Sequence, residues 1–267
     1  MLALAQRFFT LPPDKLAAID MIHSPYFRGY SPVGSERTLG RPDLREQLDV
    51  GPEDEPQAWA PGDPPYLRLH GPNLWPATLP ELRPAILGWM NALQSVAARL
   101  LAAVNESGGL PRDTFAAGFD RRPHERLKII RYPGADETSS RQGVGEHRDS
   151  GFVTLIVQDE TGGLEVDDGS GFVEVRAARG ELIAVLGRTF AAATGGFVNA
   201  AAHRVVSPPA GRRRVSVAYF FNPRLDYAID PPPARAERQP EYGYEVLEVV
   251  LRSHPHVAER YFADLIA

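Results

Sequence analysis

Between residues 82 and 104, apolar side chains recur every three or four positions, at Ile86, Met90, Leu93, Val96, Ala97, Leu100, Leu101 and Val104. That spacing gathers them on one face of a helix. Asn105 and the Gly108-Gly109 pair end it, because glycine adopts the left-handed turn that closes helices. The pattern then changes. Residues 127–131, 152–157, 172–175, 182–186 and 215–221 are short apolar or β-branched runs separated by Gly, Asp and Ser, as in an antiparallel β core. Ahead of the long helix, Pro12-Pro13-Asp14 before Lys15-Leu16-Ala17-Ala18-Ile19 predicts a helix start. Pro25, Gly29, Pro32, Gly34, Gly40 and Pro42 then mark a long loop. Residues 61–76 read as a second loop, but Trp59, Tyr66 and Trp75 predict that it packs against protein. Residues 244–266 return to helical spacing with a break near Pro255, and Pro231-Pro232-Pro233 reads as a surface turn. The sum is a mainly β chain with flanking helices: helices first, a barrel or jelly roll over residues 125–225, and a closing helix.

Composition narrows this picture in three ways. A chain of 267 residues with 43% hydrophobic and 24% charged positions can bury one sizeable core, and all-β units of this size are common as single domains. We therefore read one domain, with residues 1–124 as a helical and loop region, 125–225 as the core and 226–267 as a helical tail. A net charge of −5 provides no basic footprint for nucleic acid, and Arg212-Arg213-Arg214 is too short a run to make one. Cysteine is absent, so any metal must be held by His, Asp or Glu. Residues 1–9 lack the basic start and cleavage site of a signal peptide, and no apolar stretch approaches the roughly 20 residues that span a bilayer. The expectation is a cytoplasmic protein acting on a small molecule, with neither a membrane nor a nucleic acid as partner.

Two segments carry the candidate chemistry. His147-Arg148-Asp149 lies in residues 145–157, which read as one strand, so that His147 and Asp149, two positions apart, share a face. His203 follows much later. Two imidazoles and one carboxylate on one side of an ion leave its other side open, the pattern associated with non-haem Fe(II) oxygenases. An isolated His-x-Asp is common; its combination with a later histidine and Arg214-Val215-Ser216 is far more specific. Arg214 and Ser216 also share a strand face, where a guanidinium can hold a carboxylate by two parallel hydrogen bonds and a serine can donate a third. Such a pair suits the distal carboxylate of a 2-oxo diacid whose keto acid chelates the metal. The competing reading makes Arg214 part of a solvated basic run.

The chain resembles the isopenicillin N synthase-like branch of the Fe(II)/2-oxoglutarate-dependent dioxygenases. The resemblance rests on Arg131-Tyr132-Pro133, Gly145-Glu146-His147-Arg148-Asp149, Leu155 and Gly162-Gly163-Leu164-Glu165-Val166. It continues with Thr194, Gly196, His203-Arg204-Val205-Val206 and the run from Arg214-Val215-Ser216 through Phe220-Phe221-Asn222-Pro223, and so spans residues 125–225. Residues 8–52 and Gly71-Pro72-Asn73-Leu74-Trp75-Pro76 resemble the family's N-terminal region more weakly. The resemblance implies a double-stranded β-helix, iron held by His147, Asp149 and His203, and 2-oxoglutarate held by Arg214 and Ser216, with dioxygen as the other co-substrate. Tyr132 matches a tyrosine that also reaches the co-substrate, and Phe220 a position that often lines the substrate pocket; a buried core aromatic is the alternative for each.

Three departures stand out. The chain begins where the family has usually completed an initial strand, so one sheet edge is expected to differ; Gly187-Arg188 replaces a common Gly-Asp; and Ile130 stands where an asparagine is common. His254-Pro255-His256 has ligand spacing but falls in the helical tail beside a proline, and His23, His70 and His124 read as surface or structural residues. Asp159-Glu160 and Asp167-Asp168 flank turns, and Glu146 points away from the ligand face. Alternatives to the dioxygenase are an iron oxidase of the isopenicillin N synthase type that needs no 2-oxoglutarate, a zinc hydrolase on the same triad, and a non-catalytic metal- and ligand-binding protein. Arg28, Arg37 and Arg41 are candidates to receive a substrate carboxylate, solvated loop arginines being the commoner case.

Overall fold

The strand Arg214–Asn222 sorts its side chains into two sets. Val215, Val217, Tyr219 and Phe221 are apolar and join the main core, whereas Arg214, Ser216, Ala218, Phe220 and Asn222 line a cavity. Because successive side chains leave a strand on opposite faces, this one segment builds both the outer packing surface and the inner wall.

The computed structural model describes residues 1–138, 142–176, 178, 180–229 and 240–266. Its strands are β1 (Gly29–Ser31), β2 (Arg37–Thr38), β3 (Arg41–Pro42), β4 (Glu46–Val50), β5 (His124–Tyr132) and β6 (Gln142–His147). They continue with β7 (Val153–Gln158), β8 (Leu164–Asp167), β9 (Phe172–Glu174), β10 (Ile183–Leu186), β11 (His203–Val206) and β12 (Arg214–Asn222). The helices are α1 (Leu2–Phe8), α2 (Pro13–Ala17), α3 (Leu82–Ser107), α4 (Arg188–Ala193), α5 (Tyr242–Ser253), α6 (Pro255–Tyr261) and α7 (Ala263–Ile266). One sheet has the order β1-β4-β5-β12-β7-β10 and a second the order β6-β11-β8-β9, all neighbours antiparallel. Residues of both sheets line the same cavity of about 260 Å³, which is the jelly-roll arrangement expected.

Helix α3 lies against β7 and β12 of the larger sheet, and its Leu82, Ile86, Met90, Leu93, Ala97 and Leu101 share one core with Leu127, Ile129, Leu155 and Val217. Each fully buried large apolar side chain of this set contributes about 1.5–3 kcal/mol relative to exposure. The helix runs to Ser107, three residues past its last periodic valine, and Gly108 caps it. No helix among the described residues is long and apolar enough to cross a membrane. The turn expected at Pro231-Pro232-Pro233 lies outside the described residues.

Two expectations change and a third narrows. The segment marked as a long loop contributes β1, and the residues just after Pro42, for which no strand was expected, form β4; both strands belong to the larger sheet. Apolar periodicity could not reveal β4, because Glu46, Gln47 and Asp49 are all buried and held by polar partners: Glu46 by Arg131, Asp49 by Gln47 and Lys128. Residues 145–157 are not one strand. β6 stops at His147 and β7 starts at Val153, with Gly151 between them at a φ of +77°, where an added Cβ would lie 2.0 Å from an Asn222 oxygen. Finally, of the two readings of His124, surface or structural, the structure keeps the second and places the half-buried ring in the cavity wall.

His254, at the junction of α5 and α6, is 1% exposed. Its Nδ1 meets the Ser253 hydroxyl at 2.9 Å, and its Nε2 lies 3.9 Å from Glu36. Burial, only partly opposed by Glu36, pushes its pKa down to about 4. The folded chain therefore holds the neutral ring, and the unfolded chain takes up the proton first as pH falls below the ordinary value of about 6.5. Stability from this group is complete above pH 6.5 and is lost as pH falls toward 4, about 3 kcal/mol in all. Urea unfolding at pH 7 and pH 4.5 should show a fall that is smaller by most of that amount in His254→Gln; equal falls in both proteins would exclude the histidine as the cause.

Candidate active site

β6 and β11 pair so that His147 and His203 are directly opposite each other, with ring centroids 4.2 Å apart. Asp149, two residues beyond the end of β6, turns back toward them. One of its oxygens lies 3.5 Å from His147 Nε2 and 3.6 Å from His203 Nε2. Ligand atoms of the three residues all lie within 4.8 Å of one another, and they are the one such group of His, Asp and Glu found among the described residues. The structure thus joins the three predicted residues, although the loop after the strand, not the strand itself, carries Asp149.

The surrounding groups orient each of them. The Nδ1 atoms of His147 and His203 face the carbonyls of Gly145 at 2.8 Å and Ala201 at 3.2 Å, which leaves each Nε2 free to act as a ligand. Thr154 on β7 donates its hydroxyl to the second oxygen of Asp149. Arg148 bonds the Ala200 carbonyl and ties the loop after β6 to the one before β11. Burial opposes charge on Asp149, but the hydrogen bond from His147 and the charge of His203 hold its carboxyl well below the usual range. Burial likewise opposes charge on His147, and the bond to Asp149 outweighs it and raises the pKa; on His203 burial prevails and lowers it. Two imidazole nitrogens and one carboxylate oxygen form a donor set that Fe(II) accepts while keeping open positions.

The other predicted pair lies across the cavity on β12. Arg214, 1% exposed, donates from one terminal nitrogen to Ser216 at 3.0 Å and from the other to Gln158 at 2.6 Å. Its Nε is buried with no acceptor among the described residues. Such a group is costly without a partner, so the site has the character of a receptor for an anion. These facts count against the reading of Arg214 as a solvated basic residue. Tyr132, opposite Arg214 in the β5–β12 register, places its ring 4.8 Å from the guanidinium. Phe220, half-buried, lines the cavity between Arg126 on β5 and Thr154 on β7.

Residues 123–223 match the 2OG-Fe(II) oxygenase superfamily, and residues 1–78 match the family described as non-haem dioxygenase in morphine synthesis N-terminal. The 2-oxoglutarate-dependent dioxygenase frbJ of Dothideomycetidae sp. (strain 11243) is 34% identical over 86% of this chain, which spans 63% of that protein's length. The 2-oxoglutarate-Fe(II) type oxidoreductase hxnY of Emericella nidulans is 31% identical over 93% of this chain and 73% of its own. The chain belongs to the 2OG-Fe(II) oxygenase superfamily. Among solved structures, a full-length Neurospora crassa protein in complex with alpha-KG and 5-formyluracil is similar at 25% identity and a TM-score of 0.74, covering 92% of this chain and 79% of that one. The jelly roll of this 2OG-Fe(II) oxygenase is accordingly a double-stranded β-helix, and Fe(II), 2-oxoglutarate and dioxygen are its cofactor and co-substrates.

Several residues of the oxygenase site were not singled out from its sequence. Thr154 and Gln158 sit on the inward face of β7 with Ile156, a period-two signal that identifies the face but not what each side chain meets. Arg45, Arg126 and Lys128 were missed because they lie in segments whose burial alternation is masked by charge. Ile130, in place of the asparagine, makes that part of the wall apolar, and Arg188 stands exposed at the rim beside Glu245 at 3.5 Å. Of the loop arginines, Arg37 lines the mouth, whereas Arg28 and Arg41 are not among the lining residues.

Proposed function

We propose that His147, Asp149 and His203 ligate Fe(II), that Arg214 and Ser216 hold the distal carboxylate of 2-oxoglutarate with Tyr132 against the guanidinium, and that Phe220 lines the pocket of a small-molecule substrate. The observation that carries this reading is the meeting, in one cavity, of an open His-Asp-His donor set and a buried arginine whose Nε has no acceptor among the described residues. The 5-formyluracil in the complex of the Neurospora crassa protein supports the substrate class. Cytoplasmic residence is part of the proposal; it rests on the cysteine-free composition, which calls for no oxidising compartment.

When bound, Fe(II), 2-oxoglutarate and dioxygen supply an oxidant strong enough for an unactivated C–H bond, with succinate and carbon dioxide released. The rest is the work of the chain. The carbonyls of Gly145 and Ala201 set the tautomer of each histidine, and Thr154 holds one oxygen of Asp149 so that the other faces them. Ile130, Ile156, Leu164, Val205 and Ala218 make the neighbouring wall apolar, which keeps water from the reacting carbon. Whether the product is hydroxylated, desaturated or cyclised depends on where this wall and Phe220 rest the substrate.

Anaerobic titration of the Fe(II)-loaded protein with 2-oxoglutarate tests the reading. A saturable metal-to-ligand charge-transfer band is expected, followed by succinate formation once dioxygen and a substrate are added. Bound iron without such a band would favour the oxidase, in which Arg214 would hold a substrate carboxylate instead.

A further inference from the structure

The inward charges of the cavity wall are assigned once the proposed function is accepted, with one exception among the buried ones. Arg214 takes the co-substrate, and Arg45 and Lys128 share Glu36 at 2.7 and 2.9 Å. Arg126 remains. It is 7% exposed, and its Nε and Nη2 are buried without an acceptor among the described residues. Those two nitrogens form the edge of a guanidinium that grips a carboxylate by two parallel bonds. Its third nitrogen lies 3.6 Å from Asp49 Oδ1, too far for a hydrogen bond; that oxygen also has Lys128 at 3.5 Å, and the other Asp49 oxygen accepts from Gln47 at 2.7 Å.

Position in the sheet gives Arg126 a purpose. It lies opposite Phe220, which lies opposite Thr154, the residue bonded to Asp149. Two strand spacings put the Arg126 and Thr154 backbones about 10 Å apart, with Phe220 between them. A molecule held at Arg126 therefore extends across Phe220 toward the His-Asp-His group. Val246 and Val250 of α5 line the same cavity and provide further apolar surface. Arg37, Arg148, Arg188 and Arg252, which also line the cavity, are exposed; Glu245 lies 3.5 Å from Arg188 and Glu248 3.8 Å from Arg252, while Arg37 and Arg148 add positive charge beside the cavity in a chain of net charge −5. Such a field draws anions inward.

We propose that Arg126 is the substrate-carboxylate subsite and that the substrate is a small carboxylic acid with an apolar body. The inference rests on the proposed function for the place of oxidation, but binding at Arg126 can be read separately. Calorimetric titration of the full chain, loaded with Mn(II) and tested with and without 2-oxoglutarate, would use phenylacetate, 3-phenylpropionate and octanoate, each beside its amide. At least one acid should bind, its amide should bind at least roughly tenfold more weakly, and Arg126→Gln should weaken the acid on the order of a hundredfold. Arg126→Lys keeps the charge without the two-pronged edge and should fall between them. Both variants should bind 2-oxoglutarate as the parent does, which separates loss of the subsite from loss of the fold. Equal binding of acid and amide, no binding of any acid, or an acid affinity unchanged in both variants would each overturn the subsite. Failure of 2-oxoglutarate to bind the parent would instead strike the proposed function, and the carboxylate series without it would still decide Arg126.

Discussion

An Asp149→Ala protein is expected to lose Fe(II) binding and, with it, all 2-oxoglutarate turnover. Asp149 is the single anionic member of the donor group, and one of its oxygens lies within 3.6 Å of both histidines. Removing it leaves two imidazoles whose Nε2 atoms point at a gap. Loss of a residue that merely orients a metal ligand costs roughly 10–100-fold in affinity, so loss of the ligand itself should cost more. Metal content after dialysis and a competition titration would measure the binding; succinate formation would measure turnover. The metal-free variant should unfold at a urea midpoint near that of the parent, since Thr154 and the two histidines lose only one shared partner. A variant that retained iron at parental affinity would remove Asp149 from the ligand set.

Arg214→Met should raise the 2-oxoglutarate requirement on the order of 10²–10³-fold while leaving iron binding intact. The guanidinium is almost wholly buried and offers donors to Ser216 and Gln158 as well as a free Nε. Truncating one member of a buried, hydrogen-bonded charge pair costs about 2–5 kcal/mol, roughly 30- to 4,000-fold, and the expected range lies in the middle of that span. Arg214→Lys should recover part of the loss, because an ammonium supplies the charge but not the planar fork. The charge-transfer titration separates the two variants by affinity, and steady-state rates should show KM for 2-oxoglutarate rising far more than kcat falls. Equal loss of iron from Arg214→Met would point to a collapsed cavity rather than a missing anion contact.

The two kinds of residue were legible in the sequence to different degrees. The periodicity of α3 and the alternation of β12 are local properties, written in the spacing of apolar residues. So were the members of the candidate site that occur in short motifs, His147 with Asp149 and Arg214 with Ser216. β4 was hidden because Glu46, Gln47 and Asp49 are buried through polar pairing with distant residues, which reverses the usual link between polarity and exposure. Thr154, Gln158 and Arg126 gained their roles from strand neighbours many residues away.

By itself, the sequence determined which residue types can bind a metal and an anion, and which stretches can become strands or a covering helix, since these follow from side-chain chemistry and from periods of 2 and 3.6. Only the tertiary structure decided that His203 would lie opposite His147 and that a loop would return Asp149 to them. It also left Arg126 inside the cavity without a full partner, because pairing register and competition for buried acceptors depend on segments that meet only when the two sheets close.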